Sequence, residues 1–202
     1  MKRTILGAAL AVPLLLCAGP LRADDISEGL ERARELYEKG DIAGAVTEVN
    51  FALNGLHQKR AAAYAALFPA APQGWTLGEA DDAAGNALAA QMLGGGVMVE
   101  REYTKGDEQV IKATVIVDSP LIQALGAMAS NPAMMGAGAR RIRIGNDNAI
   151  LQRESGSEDA EMTLVRGNVA VKLEATGVKD NDTLTALIKR FDLARLSNLS
   201  GR

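Results

Sequence analysis

The chain has 202 residues, 48% hydrophobic, 23% charged and 3% aromatic, with 22 basic against 25 acidic residues and a net charge of −3. That length fits one domain, or one domain with a helical annex, and the ordinary apolar fraction excludes collagen-like, disordered and multispan membrane proteins. The slight acidic excess argues against a nucleic-acid binder, which concentrates positive charge.

Residues 1–23 read as a secretory leader. Lys2 and Arg3 form its basic start, Ile5 to Ala18 its apolar stretch, and Ala23 stands before the expected cut. The stretch is short for a bilayer span of ~20 residues; an uncleaved anchor is the alternative. The single cysteine, Cys17, lies inside the leader, and Leu16 before it does not suit lipid attachment. Cleavage after Ala23 leaves a chain without thiols, and with Lys2, Arg3 and Arg22 gone the net charge moves from −3 to about −6. The expected location is periplasmic or secreted, with no membrane span after leader removal.

Residues 24–68 are expected to form a helical hairpin. Asp25-Ile26-Ser27-Glu28 has the form of a capping box. Apolar residues then recur at helical spacing at Ile26, Leu30, Ala33, Leu36 and Tyr37. Gly40 ends the first helix and Asp41 caps the second, which carries Ile42, Ala45, Val46, Val49, Leu53 and Leu56 on one face and runs toward Leu67 before Pro69 and Pro72. The stretch from Leu36 to Leu53 resembles one tetratricopeptide unit, with Gly40-Asp41 at the turn and Ala45, Val49 and Ala52 at its packing positions. That resemblance implies a docking module. A lone unit cannot bury its own faces as a solenoid does, so a hairpin packed on its neighbour is the plainer alternative.

Residues 69–202 are expected to form an α+β domain after a proline-rich linker. A short helix is expected within 79–92, and Gly94-Gly95-Gly96 is a break. Val97, Val99, Arg101 and Tyr103 alternate with Met98, Glu100 and Glu102, and Ile111, Ala113, Val115 and Val117 alternate beyond a Lys105-Gly106-Asp107 turn, which together predict an antiparallel hairpin. Ser119-Pro120 opens a helix that Asn131-Pro132 closes. Four strands follow around Gly145-Asn146-Asp147-Asn148 and Arg166-Gly167-Asn168. A final helix, capped by Asp180 or Asp182, turns Leu184, Leu187, Ile188 and Phe191 inward. The sum is an antiparallel sheet of about six strands with helices on one face, and the hairpin packed on it or linked to it. This order of elements from Trp75 onward resembles small exported domains of the Mog1/PsbP kind. The likeness implies a fold and no particular activity.

The residues supply little reactive chemistry. His57 is the only histidine, and it reads as a solvated helix residue. One histidine and no mature cysteine do not make a zinc site. The oxygen-rich Asn146-Asp147-Asn148 and Asp180-Asn181-Asp182 suit a turn and a cap better than calcium. Glu100 and Glu102, about 7 Å apart along one strand face, are the carboxylates a hydrolase of cell-wall sugars would need. Arg141 and Arg143 share a strand face and can hold an anion or an acidic partner, or simply keep that face soluble. The methionines are too scattered for copper and suit an adaptable apolar pocket. The expectation is therefore a non-enzymatic exported binding protein, with no catalytic residue, metal or cofactor. Trp75, Met98, Met128, Met134 and Met135 are expected to line a pocket between sheet and helix, and Arg141 and Arg143 are further expected binding residues. Its partner is a small apolar ligand or an envelope protein, not nucleic acid. The alternatives are an adaptor that docks an envelope protein through the hairpin, and a carboxylate-dependent hydrolase.

Overall fold

A computed structural model describes residues 23–80, 95–131 and 138–199. Most of residues 1–23, expected to form a leader, most of the 79–92 segment expected to be helical, and Met134 and Met135 lie outside the described residues.

Helix α1 spans Ala23–Glu38 and α2 spans Ile42–Ala65. The helix starts at Ala23, so Asp25 lies within its first turn rather than at its cap. At the other end the expectation holds. Gly40 takes φ +81°, a left-handed conformation that glycine adopts without strain, and the Asp41 carboxylate accepts from Gly44 N at 2.9 Å. The helices run antiparallel. Ile26 lies against Gly55, and Arg32 Nε donates to Glu48 Oε2 at 3.1 Å. Small residues at Gly29, Ala45, Ala52 and Gly55 let the two backbones approach.

Seven strands follow: β1 Thr76–Ala80, β2 Val97–Lys105, β3 Gln109–Val117, β4 Ala139–Ile144, β5 Asp147–Gln152, β6 Ala160–Arg166 and β7 Val169–Thr176. They form one antiparallel sheet in the order β1-β2-β3-β7-β6-β5-β4. The α+β class stands, with seven strands rather than about six. The additional strand is β1, whose Thr-Leu-Gly-Glu-Ala sequence lacks an alternating pattern. It is held at the sheet edge by pairing with β2 and by Arg101, whose Nε donates to Gly78 O at 3.0 Å.

One face of the sheet carries the main core. Val99, Tyr103, Ile111, Val115, Met162, Val171 and Leu173 meet Ala61, Tyr64 and Phe68 from the hairpin's end. Leu184, Leu187 and Ile188 of α4 (Asn181–Ile188) and Leu193 and Leu196 of α5 (Leu193–Asn198) complete it. Phe68 and Phe191 stack edge to face at 5.5 Å. The helices are not confined to this face. α3 (Leu121–Ser130) covers the other one, with Ile122, Leu121 and Leu125 on Met98, Ile116, Val165 and Ala170. The sheet therefore buries both sides of the same strands, and apolar residues fill both phases of the alternation at Val115-Ile116-Val117 and Val169-Ala170-Val171.

The expected final helix breaks into α4 and α5. Asp180 caps the first, accepting from Asp182 N and Thr183 N, and these bonds hold its carboxyl below the usual range. Asp192 caps the second through Arg195 N at 2.9 Å.

Candidate functional site

The residues expected to line one pocket are divided by the sheet. Trp75 packs against the main core, whereas Met98 belongs to the cluster under α3. These two residues therefore pack in separate clusters. Met128 is 38% exposed and borders a space of about 20 Å³ among Leu125, Ala129, Ile150 and Thr163. That volume holds about one water, not a ligand. Arg141 and Arg143 sit on β4, where Arg141 donates to Ser130 O at 3.1 Å and Arg143 to Gly145 O at 3.1 Å. Each guanidinium is thus engaged with backbone beside it.

The two strand carboxylates are also apart in role. Glu100 is bound by Lys112 at 2.8 Å and accepts from Thr114 Oγ1 at 2.9 Å, while Glu102 is exposed. Lys172 bridges Glu161 and Glu174 at 3.1 and 2.9 Å on the same face. Burial pulls the Lys172 ammonium down and these carboxylates more than offset it, so its affinity for the proton rises. This is a cross-strand charge ladder that keeps the open part of the face wet. Asp147 pairs with Arg166 at 3.7 Å and Asp180 caps a helix. No group of three potential metal-ligating side chains occurs among the described residues.

Two features stand instead, the first unforeseen in the sequence and the second the apolar face expected on α2, without Ala45, which is buried. The first is a polar clasp between hairpin and sheet. Asp118, just past β3, adopts φ +55°, the one non-glycine residue with positive φ among the described residues. Its Oδ2 pairs with Arg60 Nη2 of α2 at 2.5 Å, and its Oδ1 accepts from Asn168 Nδ2 at 2.6 Å. Asn168 Oδ1 accepts in turn from Ser197 Oγ of α5 at 2.9 Å. Gly96 lies against this turn so tightly that a Cβ there would sit 2.5 Å from Val117 O. The Arg60 guanidinium lies over the ring of Tyr64, 5.9 Å from its centre. Tyr64 is fully buried with no hydrogen-bond partner for its hydroxyl. That burial pushes the hydroxyl pKa up, and the neighbouring cation opposes the shift. An open cleft of about 660 Å³ adjoins the clasp, lined by Asp118, Ser119, Ile122, Gln123 and Asn168. Each Asp118 oxygen takes a protein donor, so the carboxylate fastens α2 to the sheet.

The second feature is the outer face of the hairpin. Ile42, Val46, Val49, Leu53 and Leu56 of α2 are between 40% and 54% exposed. Their spacing is four, three, four, three, which keeps them in one stripe. Given the antiparallel packing and about 100° per residue, Leu30 and Tyr37 of α1 lie on the same side of the pair. Phe51 lies on the opposite side, where its ring would be 3.4 Å from a Cβ at Gly29. Seven large apolar side chains thus share one uncovered face. The stripe itself was legible as a helical period; its exposure was not.

No family model matches the chain, and no curated protein or solved structure is similar to it. No helix among the described residues is long and apolar enough to cross a membrane.

Proposed function

We propose that this protein is a non-enzymatic, exported interaction protein that engages another protein through its N-terminal hairpin. One observation carries the reading: the continuous exposed face of Leu30, Tyr37, Ile42, Val46, Val49, Leu53 and Leu56. Monomeric soluble proteins scatter exposed apolar residues, and contiguous patches of several hundred Å² mark interaction sites. Export to the periplasm or medium is proposed from the leader-like residues 1–23, and the tetratricopeptide-like turn at Gly40-Asp41 agrees with a docking role. A helix presented at four-three spacing suits a helical partner surface, which it meets by side-chain interdigitation.

The test is site-specific photo-crosslinking in the protein's own cells. A photoreactive residue at Val49 is expected to give defined protein adducts, and one at Phe51, equally exposed but on the other side, is not. Adducts from both positions alike, or from neither, would overturn the reading.

A further inference from the structure

We infer that the partner on this face is a second copy of the chain, joined by an antiparallel α2–α2 seam centred on Val49. The inference rests on the docking reading above and names its occupant. A two-fold interface must be self-complementary, each residue meeting its symmetry equivalent's counterpart. The stripe has that property. With Val49 on the axis it meets its own copy, Val46 meets Leu53, and Ile42 meets Leu56. Small side chains fall at the centre and larger ones outside, so the two helices close evenly.

Charge favours the same pairing. Between Ile42 and Gln58 the only charged side chain is Glu48, and it pairs with Arg32 at 3.1 Å toward α1. On α1, Arg34 pairs with Glu31 and Glu38, each at 3.1 Å. No unpaired charge therefore faces its own copy across the axis. The area approaches that of a stable interface. The exposed fractions of the seven residues amount to on the order of 600 Å² per copy, near the ~800 Å² per partner of a stable interface once flanking stems are added.

The experiment is sedimentation velocity of the full chain at about 1 to 100 µM, with Val49→Glu alongside it. A dimer is expected for the unaltered protein, and Val49→Glu, which sets two carboxylates together on the axis, is expected to weaken it by at least about 100-fold. Val49 is exposed, so far-ultraviolet circular dichroism of the variant should match the parent. A second pair of variants, each with Cys17→Ser, adds Val49→Cys or Phe51→Cys. The first is expected to form a disulfide-linked dimer under mild oxidation and the second is not. A chain monomeric throughout this range, whose Val49→Cys thiol reacts freely with a soluble maleimide, overturns the second copy and leaves the docking reading for a different protein. A monomer whose Val49→Cys thiol is protected overturns both, because the chain then covers its own face. A dimer that neither responds to Val49→Glu nor cross-links through Val49→Cys overturns the seam.

Discussion

The two halves of α2 carry apolar side chains in continuous helical phase and end in opposite environments. From Ile42 to Leu56 the stripe is open; beyond it Ala61 and Tyr64 are buried in the main core. Four-residue steps lead from Leu56 through Arg60 to Tyr64, and the change occurs at Arg60, where the clasp to Asp118 begins. The lesson is that an amphipathic period states that a face needs covering. Which partner covers it is decided by where the sheet happens to end. A 24-residue helix is about 36 Å long, and the sheet reaches only its last turns.

This contrast can be broken from the buried end first. Tyr64→Ala removes a fully buried ring and is expected to cost about 3–5 kcal/mol in chemical denaturation, whereas Val49→Ala, measured at a concentration that keeps the chain monomeric, should change stability by less than about 0.5 kcal/mol. Equal effects would mean that the two halves are covered alike. Next comes alkaline pH. Tyr103 donates to Pro69 O at 2.8 Å and so ties the end of the hairpin to the sheet, and burial pushes its hydroxyl up to about 12 from an ordinary 10.0. Its stabilisation is complete below pH 10 and is lost as the unfolded chain ionises first, between pH 10 and about 12. A loss of roughly 2–3 kcal/mol over that window is expected from a shift of this size, and Tyr103→Phe should flatten the pH dependence.

Smaller effects sharpen the boundary. Asp118→Ala removes the acceptor of Arg60 Nη2 and of Asn168 Nδ2, and thermal unfolding should show a loss of about 1–3 kcal/mol, reduced by relief of the left-handed backbone only if glycine replaces alanine. Last, Tyr64→Phe deletes a buried hydroxyl that has no partner, so stability should be unchanged or rise by up to about 1 kcal/mol. A clear loss would show that the hydroxyl is bonded after all.

Much of the fold was legible because it is local. The β2–β3 and β6–β7 hairpins announce themselves through alternation around Gly106 and Gly167, both at positive φ, and Asp41 and Asp180 cap as their positions suggest. β1 was not legible, because Gly78 and Glu79 disguise a strand that exists only through β2 and Arg101. The break between α4 and α5 was also hidden, since Phe191 stays buried on the same side and preserves the helical period. The site was hardest to read. Arg60 and Asp118 are 58 residues apart, and nothing near Asp118 distinguishes it from the ordinary prelude to a helix at Ser119-Pro120. Of the residues expected around one pocket, Trp75, Met98, Met128, Met134 and Met135, Trp75 and Met98 pack in different clusters, because composition shows which residues are adaptable but not which side of a sheet each occupies.

The arginines of β4 bear on association in another way. β1 and β4 are the two edges of the sheet, and an open edge offers unpaired amides and carbonyls to any passing strand. Arg140, Arg141 and Arg143 crowd three positive charges onto six residues of one edge, while Gly78 and an irregular register shorten the other. Strands that approach edge to edge meet repulsion on one side and a broken ladder on the other. Growth of the sheet into a fibre is thereby discouraged at both of its described margins.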